Sequence, residues 1–234
     1  VRDLFTAEPG CLLLECDYSA IEAVLVGYFA QSREYVRLAK LGVHAYLGSH
    51  MLGRPVELGW SDADLRAAFQ ALKRDHLLTN ETAKRGIHGS NYGMTPFRMH
   101  QLYPQDFPHV ADAQRLQSLY FEVCGAVRRW QVQTVALADR QAYLRNPFGY
   151  LHRFWHVYDW RKVNGEWVAQ WGEDAKRALA FLAQSTAAAI IFEALLALAP
   201  HLLVGPALRL QVHDSLLVTC AEAQVAEVAA EMVA

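Results

Sequence analysis

The sequence predicts an α+β fold, with strands at both ends of the chain and a mostly helical insertion between them. Three observations predict it. Apolar runs at residues 12–14, 208–212 and 216–220 are short and bounded by turn signals or acids, as strands are. Much of the stretch between them carries apolar residues at a period near 3.6, punctuated by Gly and Pro. Finally, 53% hydrophobic and 20% charged content over 234 residues can bury a real core, as one large domain or two intimate ones.

Taken in order, residues 1–16 read as an extended entry with a turn at Pro9-Gly10, and residues 21–40 as a helix that Gly42 breaks. Residues 44–52 are a short helix ended by Gly53-Arg54-Pro55. Ser61, with Asp64 three residues on, caps a helix that continues through 67–78. Residues 79–92 form the next helix, 94–103 another, and 111–140 carry one long period through Leu116, Leu119, Tyr120, Val123 and Val127. The aromatic segment 142–167 leans to β, and Asn146-Pro147 and Asn164-Gly165 mark one or two small hairpins. A long Ala-rich helix at 173–198 is expected to pack under a sheet. Two short strands around His213-Asp214-Ser215 and an amphipathic helix at 221–233 close the chain.

The composition excludes a disordered tail. A net charge of −2 excludes indiscriminate adhesion to nucleic acid but leaves room for a local basic groove. Lys73-Arg74, Lys84-Arg85, Arg128-Arg129, Arg161-Lys162 and Lys176-Arg177 recur as positive pairs; alone, each reads as a solvated helix face. Cys11, Cys16, Cys124 and Cys220 show no CxxC pair and read as small buried hydrophobes in a reduced, cytosolic setting. No apolar run is expected to span a membrane, because Gln184, Ser185, Thr186 and Glu193 interrupt residues 178–199. A first residue that is Val points to a piece excised from something longer.

Chemistry concentrates in three places. Asp17 stands where the first apolar strand stops, with Glu15 and Glu22 nearby. An acid so placed is anchored by packing yet faces solvent, which suits a metal ligand or base; it equally suits the cap of the helix that follows. Asp214 stands at the other end of the chain in a tight turn with His213, where an ordinary structural hairpin is the simpler reading. If the two strands are sheet neighbours, their carboxylates converge, and like charges held together call for a divalent cation. Two acids positioning two Mg²⁺ ions can activate a hydroxyl and stabilise a leaving phosphate.

The third place is Asn80, Lys84, His88 and Tyr92, four residues apart on one drifting helical face: an amide, a cation, an imidazole and a phenol in a row. Lys84 suits phosphates, and His88 and Tyr92 offer flat faces to a base. Gly86, Gly89 and Gly93 each cost a helix about 1 kcal/mol, and Gly89 and Gly93 are expected to leave room for a ligand's close approach.

These residues resemble the motifs of family A DNA polymerases, the polymerase I-like group. Residues 17–22 resemble its motif A, Lys84 to Tyr92-Gly93 its motif B, and Val212-His213-Asp214 its motif C. Gly42-Val43-His44 resembles the family's Asp-Ile-His, residues 143–154 its Gly-Arg-Arg segment, and residues 184–188 its Gln-Gly-Thr-Ala-Ala helix. The resemblance covers nearly the whole chain, and His213-Asp214-Ser215 is similar to phage-like branches.

It implies a palm built on an antiparallel sheet from residues 1–30 and 166–234 and helical fingers from 31–165, with no thumb or exonuclease domain in this chain. It implies template-directed addition of deoxynucleotides to a primer 3′ hydroxyl. Asp17, Asp214 and the Tyr18 carbonyl would hold two Mg²⁺, with Mn²⁺ able to substitute. Glu22 would select deoxynucleotides, His44 and Lys84 would contact the triphosphate, and Asn80, His88 and Tyr92 would complete the nucleotide site. Arg145, Arg153, Lys176, Gln184 and His213 would line the primer–template path without reading sequence. The implied partners are primer–template DNA, deoxynucleoside triphosphates and a separate or upstream thumb and exonuclease region; no membrane is implied, and the setting is the cytoplasm of a bacterial or phage-infected cell.

The chain departs from the family pattern at several positions. Asn80 replaces an arginine, His88 a phenylalanine, Ser215 a glutamate and Val24 an arginine, while Lys176 and Ala180 stand at an arginine and an asparagine of the last helix. The missing arginine leaves Arg85 or Lys73 to reach the phosphates. Two rivals follow: a homologue that binds primer–template or nucleotide without efficient synthesis, and a single-subunit RNA polymerase, against which Glu22 speaks.

Overall fold

Strand β7 (Ser215–Ala221) has the sequence SLLVTCA, and five of its seven residues are buried, because it lies between two other strands. The computed structural model describes residues 4–202 and 206–233, so residues 1–3 of the expected extended entry lie outside it. It divides the chain into two compact units, residues 1–21 with 184–234, and residues 22–183.

In the first unit, β1 (Cys11–Asp17), β7 and β6 (Ala207–Val212) form an antiparallel sheet in the order β1-β7-β6. The run at 12–14 was expected to be a buried strand. It is instead an edge strand with no fully buried residue, and Leu12 faces solvent, because one side of β1 has no partner strand. The core lies behind the centre of the sheet, where Leu216, Val218 and Cys220 of β7 meet Ile191 and Leu198 of the long helix α9 (Glu173–Leu198) and Val228 of the last helix, α10 (Val225–Val233). Helix α9 therefore does pack under a sheet. With the 3₁₀ turn after it (Glu173–Leu202), it is long and apolar enough to cross a membrane by length and composition, contrary to the expectation, since Glu193 is the one charge in residues 178–199.

The second unit is helices and two short hairpins. The expected helix over 21–40 is two, α1 (Ile21–Phe29) and α2 (Arg33–Leu41): Gln31 is left-handed, with φ of 52°, and the Ser32 side chain caps α2 by accepting from the Tyr35 backbone N–H at 3.1 Å. Gly42 ends α2 and opens α3 (Val43–Met51). Ser61 caps α4 (Asp62–Asp75) through the Asp64 backbone N–H, as its spacing predicts. Helices α5 (Leu77–Asn91) and α6 (Pro96–Leu102) follow. The long period over 111–140 is again divided, into α7 (Val110–Val123) and α8 (Gly125–Gln141), because Cys124 takes a non-helical backbone before Gly125. Helix α5 lies among α3, α4 and α7 and is the centre of this unit.

Both hairpins form. Strands β2 (Tyr143–Arg145) and β3 (Leu151–Arg153) are joined through a loop in which the Asn146 side chain accepts from the backbone N–H groups of Phe148 and Tyr150. Strands β4 (Tyr158–Val163) and β5 (Glu166–Trp171) turn at Asn164-Gly165, whose φ values of 51° and 90° are the left-handed pair that a tight hairpin demands. All four cysteines are free: Cys124 and Cys220 are buried as expected, Cys11 and Cys16 only partly so.

Candidate functional site

Strand register brings Asp17 and Asp214 to the same end of one sheet. Asp17, the last residue of β1, pairs with Ser215, and Val212, the last of β6, pairs with the same Ser215 from the other side. The two-residue turn between β6 and β7 thus opens beside the end of β1, and the Tyr18 backbone N–H donates to the Asp214 carbonyl at 3.0 Å. His213 adopts φ of 51°, a region that His enters more readily than most residues, and its carbonyl accepts from the Gln211 side chain at 2.8 Å. Asp17 is exposed and Asp214 partly buried, so both acids stand at one end of the sheet within reach of solvent.

Two carboxylates and the nearby Tyr18 carbonyl are hard oxygen donors. Among the described residues no cluster of three or more His, Cys, Asp or Glu could hold a metal ion. Carboxylate and carbonyl oxygens are the donors that hard cations such as magnesium take, whereas a structural zinc takes Cys and His.

The second unit presents the other chemistry. Glu22, in the first turn of α1, accepts a hydrogen bond from the Tyr92 hydroxyl at 2.5 Å, which joins α1 to the end of α5. The His88 ring stands edge-on to Tyr92, with centroids 5.2 Å apart, and its Nδ1 is 4.0 Å from the same Glu22 oxygen. Burial, then the hydrogen bond to Glu22, pushes the Tyr92 hydroxyl far above the usual phenol range, so it remains a donor. His44, in the first turn of α3, is held down to about 4, first by burial and then by the charges of Lys84, His88 and Lys73.

The expected row is thus only partly presented. Lys84 and His88 are exposed and Tyr92 is partly buried, while Asn80 is 6% exposed and turned into the packing. Arg85 does not stand in for the missing arginine, because it forms an ion pair with Asp106 and lies over the Tyr103 ring. Lys73 does act on His44, though less than Lys84 and His88 do. The glycines also have another purpose than the expected one. A Cβ on Gly86 would stand 2.2 Å from Leu116 Cδ2, and one on Gly89 3.0 Å from Met99, so these two admit neighbouring side chains, not a ligand.

Arg145 and Arg153 share one face of the β2–β3 ladder and are exposed, although Arg145 donates to the Gly149 carbonyl at 2.7 Å. Lys176 pairs with Glu173 at 3.2 Å, and Gln184 is exposed on α9. Sequence reasoning missed a buried polar network at the end of α5. The Tyr120 hydroxyl donates to Asn91 Oδ1 at 2.6 Å and lies 2.9 Å from the Tyr35 hydroxyl, and the Gln131 amide donates to the carbonyls of Ser90 and Asn91. Its one signal, Gln131 within a helical period, is too common to single out.

Over residues 1–234 the chain matches DNA polymerase family A, and it belongs to that family. It is 31% identical over 235 residues to the thermostable DNA polymerase I of Thermus thermophilus, covering 98% of this chain and 25% of that protein. To the corresponding enzyme of Thermus aquaticus it is 30% identical over 220 residues, covering 92% of this chain and 23% of the relative. The chain thus spans about a quarter of the length of these curated relatives. Among solved structures, the POL domain of Pol1 from M. smegmatis, in complex with DNA primer-template and dNTP, superposes with a TM-score of 0.74 at 19% identity, over 99% of this chain and 37% of that one, which shows the shared fold. These relatives are bacterial polymerase I-like proteins, and they give no support to the phage-like placement expected from His213-Asp214-Ser215.

Proposed function

We propose that this chain is the nucleotide-adding part of a DNA polymerase, extending a primer 3′ hydroxyl under the direction of a template. The observation that carries the reading is the register that sets Asp17 beside the His213-Asp214 turn in a chain whose whole length matches DNA polymerase family A. We assign residues 1–30 and 166–234 to a palm and residues 31–165 to fingers.

Asp17 and Asp214 supply two anionic oxygens, and the Tyr18 carbonyl a third donor, for Mg²⁺ or Mn²⁺. When bound, such ions lower the pKa of an attacking hydroxyl and offset charge on the phosphates. Lys84 and His44, with Lys73 close to His44, take up the triphosphate. Glu22 is fixed by Tyr92, and a carboxylate held in one rotamer excludes a 2′ hydroxyl better than a mobile one. His88 and Tyr92 offer ring faces to the nascent base pair. Arg145, Arg153, Lys176, Gln184 and His213 hold the DNA backbone of the primer–template. The working site is the cytoplasm, and a thumb and exonuclease come from outside these residues.

Primer extension in Mg²⁺ tests this. Expected is deoxynucleotide incorporation that falls at least about 10²-fold in Asp17→Ala and in Asp214→Ala, with Glu22→Ala raising ribonucleotide use relative to deoxynucleotide. The buried Asn80 and the committed Arg85 favour one other reading, a homologue that binds primer–template without efficient synthesis. Primer–template binding with no incorporation in Mg²⁺ or Mn²⁺ would establish that reading, and a ribonucleotide preference in the parent chain would make it an RNA polymerase.

A further inference from the structure

The β4–β5 hairpin carries an exposed aromatic face. Strand alternation and the pairs Tyr158 with Trp171, Trp160 with Ala169 and Lys162 with Trp167 sort its side chains onto two faces. One face carries Tyr158, Trp160, Lys162, Trp167, Ala169 and Trp171. The other carries both acids of the hairpin, Asp159 and Glu166, together with Arg161. The aromatic face therefore has no negative charge, and Lys162 directly opposes Trp167.

Its outer part is open: Trp160 is 63% exposed and Trp167 66%. The hairpin root is fixed. The Arg128 guanidinium lies 4.8 Å from the centroid of the Trp171 ring, and a Cβ on Gly93, next to Tyr92, would stand 3.4 Å from that ring. The Asp174 carboxylate accepts from the backbone N–H groups of Trp155 and His156 in the link that leads into β4. Two large aromatic rings in water beside a cation, on a ladder anchored at its base, form a platform; two exposed tryptophans would otherwise be a solubility liability.

We infer that this face binds single-stranded DNA, with Trp160 and Trp167 stacking on unpaired bases and Lys162 meeting the phosphate backbone. Unpaired bases expose flat faces that stack on tryptophan, whereas a duplex hides them, and the sorting of charge fits a polyanion. The unpaired part of a template strand as the ligand rests on the polymerase reading, and the hairpin root packs beside Gly93, just past the end of the helix that carries Lys84 and His88.

Fluorescence anisotropy with the whole chain tests it, using a labelled mixed-sequence single strand, a primer–template with an unpaired 5′ overhang, and a blunt duplex. Trp160→Ala and Trp167→Ala are each expected to weaken single-strand and overhang binding by about fivefold or more, to leave blunt-duplex binding unchanged, and to be largely rescued by Trp→Phe. A Trp160→Ala/Trp167→Ala variant that binds the single strand like the parent overturns the proposal, as does an equal loss on the blunt duplex. So does self-association in sedimentation that the double variant abolishes while its DNA binding stays intact, for then the face holds a second copy. The binding assay needs no synthesis. Hairpin-dependent binding without primer extension removes the polymerase reading alone, and parental binding in the double variant removes the hairpin alone.

Discussion

His44 is neutral at pH 7 for a reason that makes it useful: it is mostly buried, and the charges near it, Lys84 and Lys73, are positive. An imidazole in that setting resists protonation, and an anion that neutralises the two lysines removes part of the resistance. The same depression has a cost for the folded state. Held at about 4 against an ordinary value near 6.5, His44 binds fewer protons in the folded than in the unfolded chain between those two pH values. Stability is therefore full above about 6.5 and falls as pH drops through the window, by on the order of 3 kcal/mol in all. Urea unfolding of the parent and of His44→Gln at pH 7 and pH 4.5 checks this: the variant is expected to lose clearly less stability between the two. Tyr92 and Glu22 show the opposite device, a phenol kept protonated so that it can hold a carboxylate in place.

At the scale of the element, α5 shows why a helix tolerates two glycines in four residues and a third just past its end. Gly86 lets Leu116 of α7 approach to where a methyl group would stand, and Gly93, with φ of 71°, carries the chain out of the helix beside Trp171. Gly86→Ala gains about 1 kcal/mol of helix propensity but forces Leu116 to move in a close-packed interior, which costs about 1–3 kcal/mol. The overlap at 2.2 Å is too large for a small adjustment, so a net loss of about 1–2 kcal/mol in denaturant unfolding is expected. Leu116→Val in the same chain is expected to cost less in the Gly86→Ala background than in the parent. The buried amide and hydroxyl network of Tyr35, Asn91, Tyr120 and Gln131 then fixes the end of α5 at the turn that aims Tyr92.

At the scale of the whole molecule, a net charge of −2 supplies no general attraction for DNA, so under the proposed function affinity would depend on local cations such as Arg145 and Arg153. Primer–template affinity is expected to fall linearly in log–log terms with salt, each phosphate contact contributing about −0.7 to −0.9 to the slope. Arg153→Gln is expected to reduce that slope by about 1 without changing any preference for sequence, as titrations across a salt series will show.

Local chemistry was legible in the sequence. The Ser61 cap, the Asn164-Gly165 turn, the strand flanks of Asp17 and Asp214 and the helical periods each depend on residues within a few positions of one another, so the sequence by itself determined them. Where the reading failed, the deciding partner was distant. Residues 12–14 look like a core strand but lie at an edge, because the position of β1 is set by pairing with β7 some two hundred residues away. Helices 21–40 and 111–140 look continuous, and single residues, Gln31 and Cys124, divide them where the chain must turn to pack. Asn80 shares a helical face with Lys84 by spacing, yet it is buried. Burial depends on what the neighbouring helices cover, and no local pattern encodes that. The sequence thus determined which acids, cations and rings this protein has and which strands and helices carry them. The tertiary structure alone decided that Asp17 stands beside Asp214, that Tyr92 grips Glu22 and that the glycines of α5 admit side chains, because each is a contact between segments far apart in the chain.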